Sequence, residues 1–117
     1  MDHHDPDFLQ KAAEARARIR ELPVDALGDQ TLIDVRSAEE YAAGHLPGAV
    51  NIPLEALRAE ADRLRGRTVV CYCNGGNRGA LAADALQQAG HTAVYSLAGG
   101  LRTAAVHLTP VRTGDPT

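Results

Sequence analysis

Cys71 and Cys73 are the only cysteines of the chain, and both fall in CYCNGGNRGA, residues 71–80, together with three glycines and one arginine. A thiolate is the reactive form of cysteine, and a helix N-terminus with a nearby cation favours it. Arg78 stands five residues after Cys73, at or just before the first turn of a helix. The intervening Asn74-Gly75-Gly76-Asn77 lets the backbone pass through conformations barred to bulkier residues, so the N–H groups of residues 74–79 can converge on an anion carried by the sulfur. On the loop alone, a reactive thiol in an anion nest and an inert cysteine in an ordinary strand-to-helix turn fit equally well. Cys71, inside the apolar run VVCY, reads as a small buried hydrophobe.

Other chemistries fit less well. Structural zinc needs four ligands, commonly in Cys-x-x-Cys units, whereas this chain has one Cys-x-Cys and histidines scattered at 3, 4, 45, 91 and 107. No metal site is expected. A nucleotide phosphate loop would follow its glycines with lysine and then serine or threonine, which are absent here. A disulfide between cysteines one residue apart would close a strained ring.

The elements that hold this loop show in the periodicity. Phe8, Ala12, Ala15, Ile19 and Leu22 predict an amphipathic helix over 7–21. TLIDV, residues 31–35, predicts a strand, and Ser37 with Glu40 a capping box opening a helix that ends at Gly44. A Pro47-Gly48 turn leads into a short strand at 49–52, and Pro53 opens a helix with Leu54, Leu57, Ala61 and Leu64 on one face. RTVVCYC is a third strand, Leu81, Ala82, Ala85, Leu86 and Ala89 form a helical stripe ending at Gly90, and TAVYSL is a fourth strand. Such alternation builds an α/β fold, a mainly parallel sheet with helices on both faces, whose ligands sit at the carboxyl ends of the strands. Of those ends only Cys73-Asn74 carries a nucleophile.

Composition narrows the partners. The 117 residues suit one domain, and aromatics at 3% leave a small core of aliphatic side chains and alanine. We expect a helical extension at 1–24 packed on a domain at 25–110, followed by a tail at 111–117. Twelve basic against fifteen acidic residues give a charge of -3 with no basic run, so nucleic acid is not an expected partner. No stretch approaches the ~20 apolar residues that span a bilayer, and MDHHDPDFLQ lacks the layout of a signal peptide. Neither a membrane partner nor export is expected; the expected compartment is the cytoplasm, where two cysteines stay free thiols.

LIDVRSAEEYAAGHLPGAVNIPL (32–54), VVCYCNGGNRGALAADALQQAGH (69–91) and VYSLAGGL (94–101) resemble, in that order and spacing, the motifs of the single-domain rhodanese family of sulfurtransferases. The resemblance covers roughly residues 31–103. It implies a rhodanese-like fold with a five-stranded parallel sheet, no cofactor, and a catalytic cysteine that carries sulfur as a persulfide. The family's nucleophile falls on Cys73, and its substrate-binding loop on Asn74, Gly75, Gly76, Asn77 and Arg78. Its Asp-x-Arg pair falls on Asp34 and Arg36, an ion pair bracing the strand end, and GHLPGA, with Gly44, His45 and Pro47, looks architectural. The implied partners are a small sulfur-containing anion such as thiosulfate or a thiol persulfide, a nucleophilic acceptor such as cyanide or a thiol, and in some members a protein sulfur donor or acceptor.

Two alternatives share the fold. Phosphatases and arsenate reductases of related fold use Cys-x5-Arg to encircle a tetrahedral oxyanion, while Cys73 and Arg78 are separated by four residues and the next position is Gly79. The smaller ring suits a single sulfur. Non-catalytic rhodanese-like binding or regulatory modules usually lack the cysteine, which is present here. Two positions depart from many relatives: Asn74 stands where thiosulfate-using members often carry a basic residue, which points toward a persulfide donor, and Ala104 replaces a tryptophan.

Overall fold

A computed structural model describes the backbone of residues 5–107 and the side chains of residues 5–104. His3, His4, the 111–117 tail and the last residues of the expected 25–110 unit lie outside the described residues. In chain order the elements are α1 (Pro6–Arg18), β1 (Arg20–Leu22), β2 (Thr31–Asp34), α2 (Ala38–Ala43), β3 (Val50–Asn51), α3 (Leu57–Glu60), β4 (Val69–Tyr72), α4 (Asn77–Gln88), β5 (Val94–Leu97) and α5 (Gly100–His107). The strands form one sheet in the order β1-β5-β4-β2-β3, every neighbouring pair parallel.

The central strand, β4, has all four residues buried, as a strand covered on both faces must. Its side chains alternate between two apolar layers. Val69 and Cys71, with Cys73 just beyond, pack with Ala82, Ala83 and Leu86 of α4 and with Leu57 and Leu64. Val70 and Tyr72 face the other way, against Leu46, Leu97, Leu101 and Ala104. The alanines that replace aromatic bulk sit where helix meets sheet: Ala82, Ala83 and Ala104 are each fully buried.

The first helix is shorter than its periodicity predicts. It opens with Asp5 as its cap, whose carboxylate accepts the Asp7 N–H at 2.8 Å, and with Pro6 in the first turn. It closes at Arg18 because Ile19 is extended, and the chain passes into β1, which pairs with β5. Leu22 therefore belongs to a strand. This fifth strand is Arg-Glu-Leu, three residues with no buried alternation, and it holds its place through backbone pairing. Phe8, Ala12 and Ala15 are buried where α1 packs on α4, and Arg18 of α1 pairs with Asp84 of α4 at 2.7 and 3.1 Å.

The helix expected after Pro53 is broken into a 3-10 turn at Leu54–Ala56, the single turn α3, and a second 3-10 turn at Ala61–Leu64. Its apolar positions, 54, 57, 61 and 64, are spaced three, four and three, which both helix types place on one side. The capping box of α2 is complete, with Ser37 Oγ accepting the Glu40 N–H at 3.1 Å and Glu40 Oε1 accepting the Ser37 N–H at 3.0 Å.

Candidate active site

Cys73 is the first residue after β4, at the carboxyl end of the sheet. The chain turns through Asn74 and Gly75 to Gly76, whose φ of +111° precedes α4. This turn brings two backbone donors back to the sulfur: Cys73 Sγ accepts N–H bonds from Gly76 at 3.1 Å and from Gly79 at 3.3 Å. The first turn of the 12-residue α4 thus points at Sγ. Cys73 is only 2% exposed, yet it lines a cavity of about 280 Å³ whose walls include Leu9 of α1, Glu40 of α2, Asn77 and Arg78 of α4 and Arg102 of α5. Cys71 is fully enclosed, and burial pushes its thiol up to about 12. The two cysteines therefore differ in surroundings: Cys71 is sealed in the core, while Cys73, just past the strand end, receives two N–H groups and meets the cavity.

The loop is anchored from below. Leu101 N–H donates to the Cys73 carbonyl at 2.7 Å and Arg102 N–H to the Asn74 carbonyl at 3.1 Å. Gly100, at φ +63°, makes that approach possible, since a Cβ there would lie 2.6 Å from the Cys73 oxygen and 2.5 Å from the Asn74 oxygen.

A chain of charged and polar groups runs along the strand ends. Arg36 is clamped on Asp34, with Nη2 at 2.7 Å and Nε at 3.0 Å from the carboxylate, and both residues are buried. Burial opposes the Arg36 charge, but the bonds to Asp34 outweigh it and the guanidinium is held above its ordinary range. Arg36 also donates to the Gly44 carbonyl at 2.6 Å and to Asn74 Oδ1 at 3.2 Å. The amide of Asn74 then donates to Glu40 Oε2 at 3.1 Å. Glu40 receives both terminal nitrogens of Arg78, at 2.7 and 3.1 Å. Principally through the Arg78 bond, the Glu40 carboxyl drops to about 2. Burial works against the Arg78 charge, and the Glu40 bonds more than restore it.

The structure thus brings Cys73, Asn74, Gly75, Gly76, Asn77, Arg78, Asp34 and Arg36 to one end of the sheet. Arg78, read from the sequence as the loop's cation for the sulfur, is committed to a carboxylate. Glu40 emerged from the sequence only as a helix cap, and a capping box carries no sign that its carboxylate also serves a loop 34 residues away. Arg16 and Arg102 were missed altogether: Arg16 Nη2 lies 3.4 Å from the Gly75 carbonyl, and a Cβ on Gly75 would lie 3.4 Å from Arg102 Nη1. Nothing local marks either residue. In GHLPGA, His45 stacks on Tyr41 at 3.7 Å and its Nδ1 lies 2.8 Å from the Tyr41 carbonyl.

A family model of the rhodanese-like domain matches residues 11–104. The chain belongs to this family. The rhodanese match takes in β1 and more than half of α1. Thiosulfate sulfurtransferase PspE of Escherichia coli is 38% identical over 102 residues, covering 85% of this chain and 95% of that protein. An HTH-type transcriptional regulator of Mycobacterium tuberculosis is 44% identical over 70 residues, 59% of this chain, and the chain spans 31% of the regulator's length. The solved structure of a rhodanese-related protein from Thermoplasma volcanium superposes with a TM-score of 0.72 at 28% identity, covering 80% of this chain and 97% of that one.

Proposed function

We propose that this rhodanese-like chain is a sulfurtransferase in which Cys73 carries the transferred sulfur as a persulfide. The observation that carries the reading is the pair of N–H groups, from Gly76 and Gly79, aimed at Cys73 Sγ where it meets an open cavity. A thiolate needs such donors, and so does the terminal sulfur that it acquires. Similarity to a thiosulfate sulfurtransferase over most of both chains supports the same class of reaction.

With thiosulfate as donor, the Cys73 thiolate attacks the outer sulfur, a new S–S bond forms, and the original S–S bond breaks with its electron pair leaving on sulfite. In the second half, a thiolate or cyanide attacks the outer sulfur of the persulfide and the Cys73 thiolate departs with the electron pair. Asn74, Gly75, Gly76 and Asn77 shape the cradle, Arg78 holds it through Glu40, and the Asp34–Arg36 pair braces it through Asn74. Ping-pong kinetics follow from the two halves. A thiol persulfide, or a protein that delivers one, enters by the same first step.

Intact-mass measurement after incubation with thiosulfate and with a low-molecular-weight persulfide tests the reading. The expected result is a gain of one sulfur atom that cyanide removes, absent from Cys73→Ser. A wild-type protein that gains no sulfur from any donor would instead be a rhodanese-like binding module.

A further inference from the structure

β4 and β5 both begin at the pole of the sheet opposite Cys73, paired from Val69 and Val94 onward. The turns that lead into them, residues 65–68 and 90–93, enclose a recess of about 200 Å³. Gly66 and Gly90, at φ +79° and +99°, bend the chain on either side of it. None of the described residues that line it is acidic. His91 is its buried member, only 8% exposed, and the enclosed Nε2 of its ring has no hydrogen-bond partner among the described residues. A buried imidazole nitrogen without a partner marks a bond that something outside the chain completes.

The backbone acceptors at this pole are largely taken. The Thr68 carbonyl accepts the Thr31 N–H at 2.8 Å, the Ala93 carbonyl accepts the Val69 N–H at 2.9 Å, and the Thr92 carbonyl accepts the Arg20 guanidinium. The last turn of α4, whose carbonyls would repel an anion, is closed as well: Leu86 and Gln87 accept the N–H groups of His91 and Gly90, and Ala89 accepts Arg65 Nη2 at 3.2 Å. Donors are left over. Among the described residues Arg67 has no carboxylate within ion-pair distance, and the hydroxyls of Thr68 and Thr92 make no hydrogen bond. Arg65 is held through Nε by the exposed Asp62 at 2.9 Å, which leaves its Nη1 beside Gly90, 3.6 Å from where a Cβ would lie. A recess with surplus donors on two sides and no acid on its walls is complementary to an acceptor-rich ligand.

We propose that this recess binds a small tetrahedral oxyanion of the phosphate type, free or as the end group of a small molecule. Arg65, Arg67, Thr68 and Thr92 supply donors from the two turns, and His91 completes the site from within. Donors converging from both turns and from a buried ring suit a tetrahedral ligand better than a planar carboxylate. The site stands apart from Cys73 and does not depend on the sulfurtransferase reading.

Titration of the isotope-labelled protein with inorganic phosphate, followed by NMR at constant low ionic strength, tests the proposal. Saturable shifts are expected in the amides of Gly66, Thr68, Gly90 and Thr92 and in the His91 imidazole. Arg67→Gln and His91→Gln should each weaken the apparent affinity by about five- to tenfold. Arg58→Gln, which removes the same charge outside the recess, serves as the control, and the exposed position of Arg67 makes its variant informative even if the His91 variant does not fold. A parallel titration with glycerol phosphate separates the sources: tighter binding than inorganic phosphate assigns the site to a phosphorylated small molecule, and weaker binding assigns it to the free ion. Shifts that never saturate, that cluster at residues 74–79 instead, or that weaken no more in the Arg67 variant than in the Arg58 variant would overturn the proposal and leave water as what completes the His91 ring.

Discussion

Glu40 and Arg78, 38 residues apart in the chain, are joined by two hydrogen bonds of 2.7 and 3.1 Å, and the same carboxylate caps the helix from which it projects. One side chain thus ties the start of α2 to the start of α4 and fixes the loop between Cys73 and Arg78. The consequence for Arg78 is a positioning role in which planarity and two donors matter as much as charge.

The pair makes stability depend on pH. The Glu40 carboxyl has its folded value near 2 against an ordinary 4.5, so its contribution is fully present above about 4.5 and is lost as pH falls through about 2. With 31% of its side-chain surface open, solvent screening reduces what the shift alone would suggest. Glu40→Gln is expected to cost about 1–3 kcal/mol at pH 7. Urea unfolding of both proteins at pH 7 and pH 3 should show the difference shrinking at the lower pH. A difference of the same size at both values would mean that the ionised carboxylate is not what the loop relies on.

Gly100 and Gly48 both have positive φ, but only Gly100 lies under the loop. Gly48 has φ +81° with open space around its Cβ position, whereas a Cβ on Gly100 would meet the carbonyls of Cys73 and Asn74. Gly48→Ala should therefore cost only the backbone strain of about 1 kcal/mol, and Gly100→Ala more than ~2 kcal/mol because the clash adds to that strain. Cys73 alkylation should slow in the Gly100 variant alone. Thermal unfolding together with alkylation rates would expose the error if the two variants behaved alike.

Cys71 should be silent. Its thiol, pushed up to about 12 and fully buried, stays protonated and shielded in the native protein. Cys71→Val is a near-isosteric change expected to cost under ~1.5 kcal/mol and to leave sulfur loading intact. Peptide mapping after native alkylation should find label on Cys73, with Cys71 reacting only after denaturation. Loss of turnover in the valine variant would identify Cys71 as a resolving thiol.

Much of this is legible in the sequence. VVCY reads as a buried strand because four consecutive apolar residues demand cover on both faces, and Asn-Gly-Gly-Asn reads as a turn because of the conformations it allows. The Cys-x4-Arg count and the Asp34-x-Arg36 spacing are equally local, and the rhodanese family follows from such motifs in order. Local pattern and tertiary context part at the first helix and the edge strand. Leu22 continued a helical stripe, yet its backbone pairs with β5. Arg-Glu-Leu has no strand signature, and its place at the sheet edge comes from the partner strand.

The sequence by itself therefore determined the βαβ alternation, the cysteine at a strand end, the capping box and the family, because each depends on residues a few positions apart. Only the tertiary structure decided where the charges go. Arg78 turns to Glu40, Asn74 bridges Arg36 to the same carboxylate, and Arg16 and Arg102 arrive from helices distant in sequence to stand over Gly75 and Gly76. Long charged side chains have several partners open to them, and which one they take is set by the packing of elements, information that no local spacing contains.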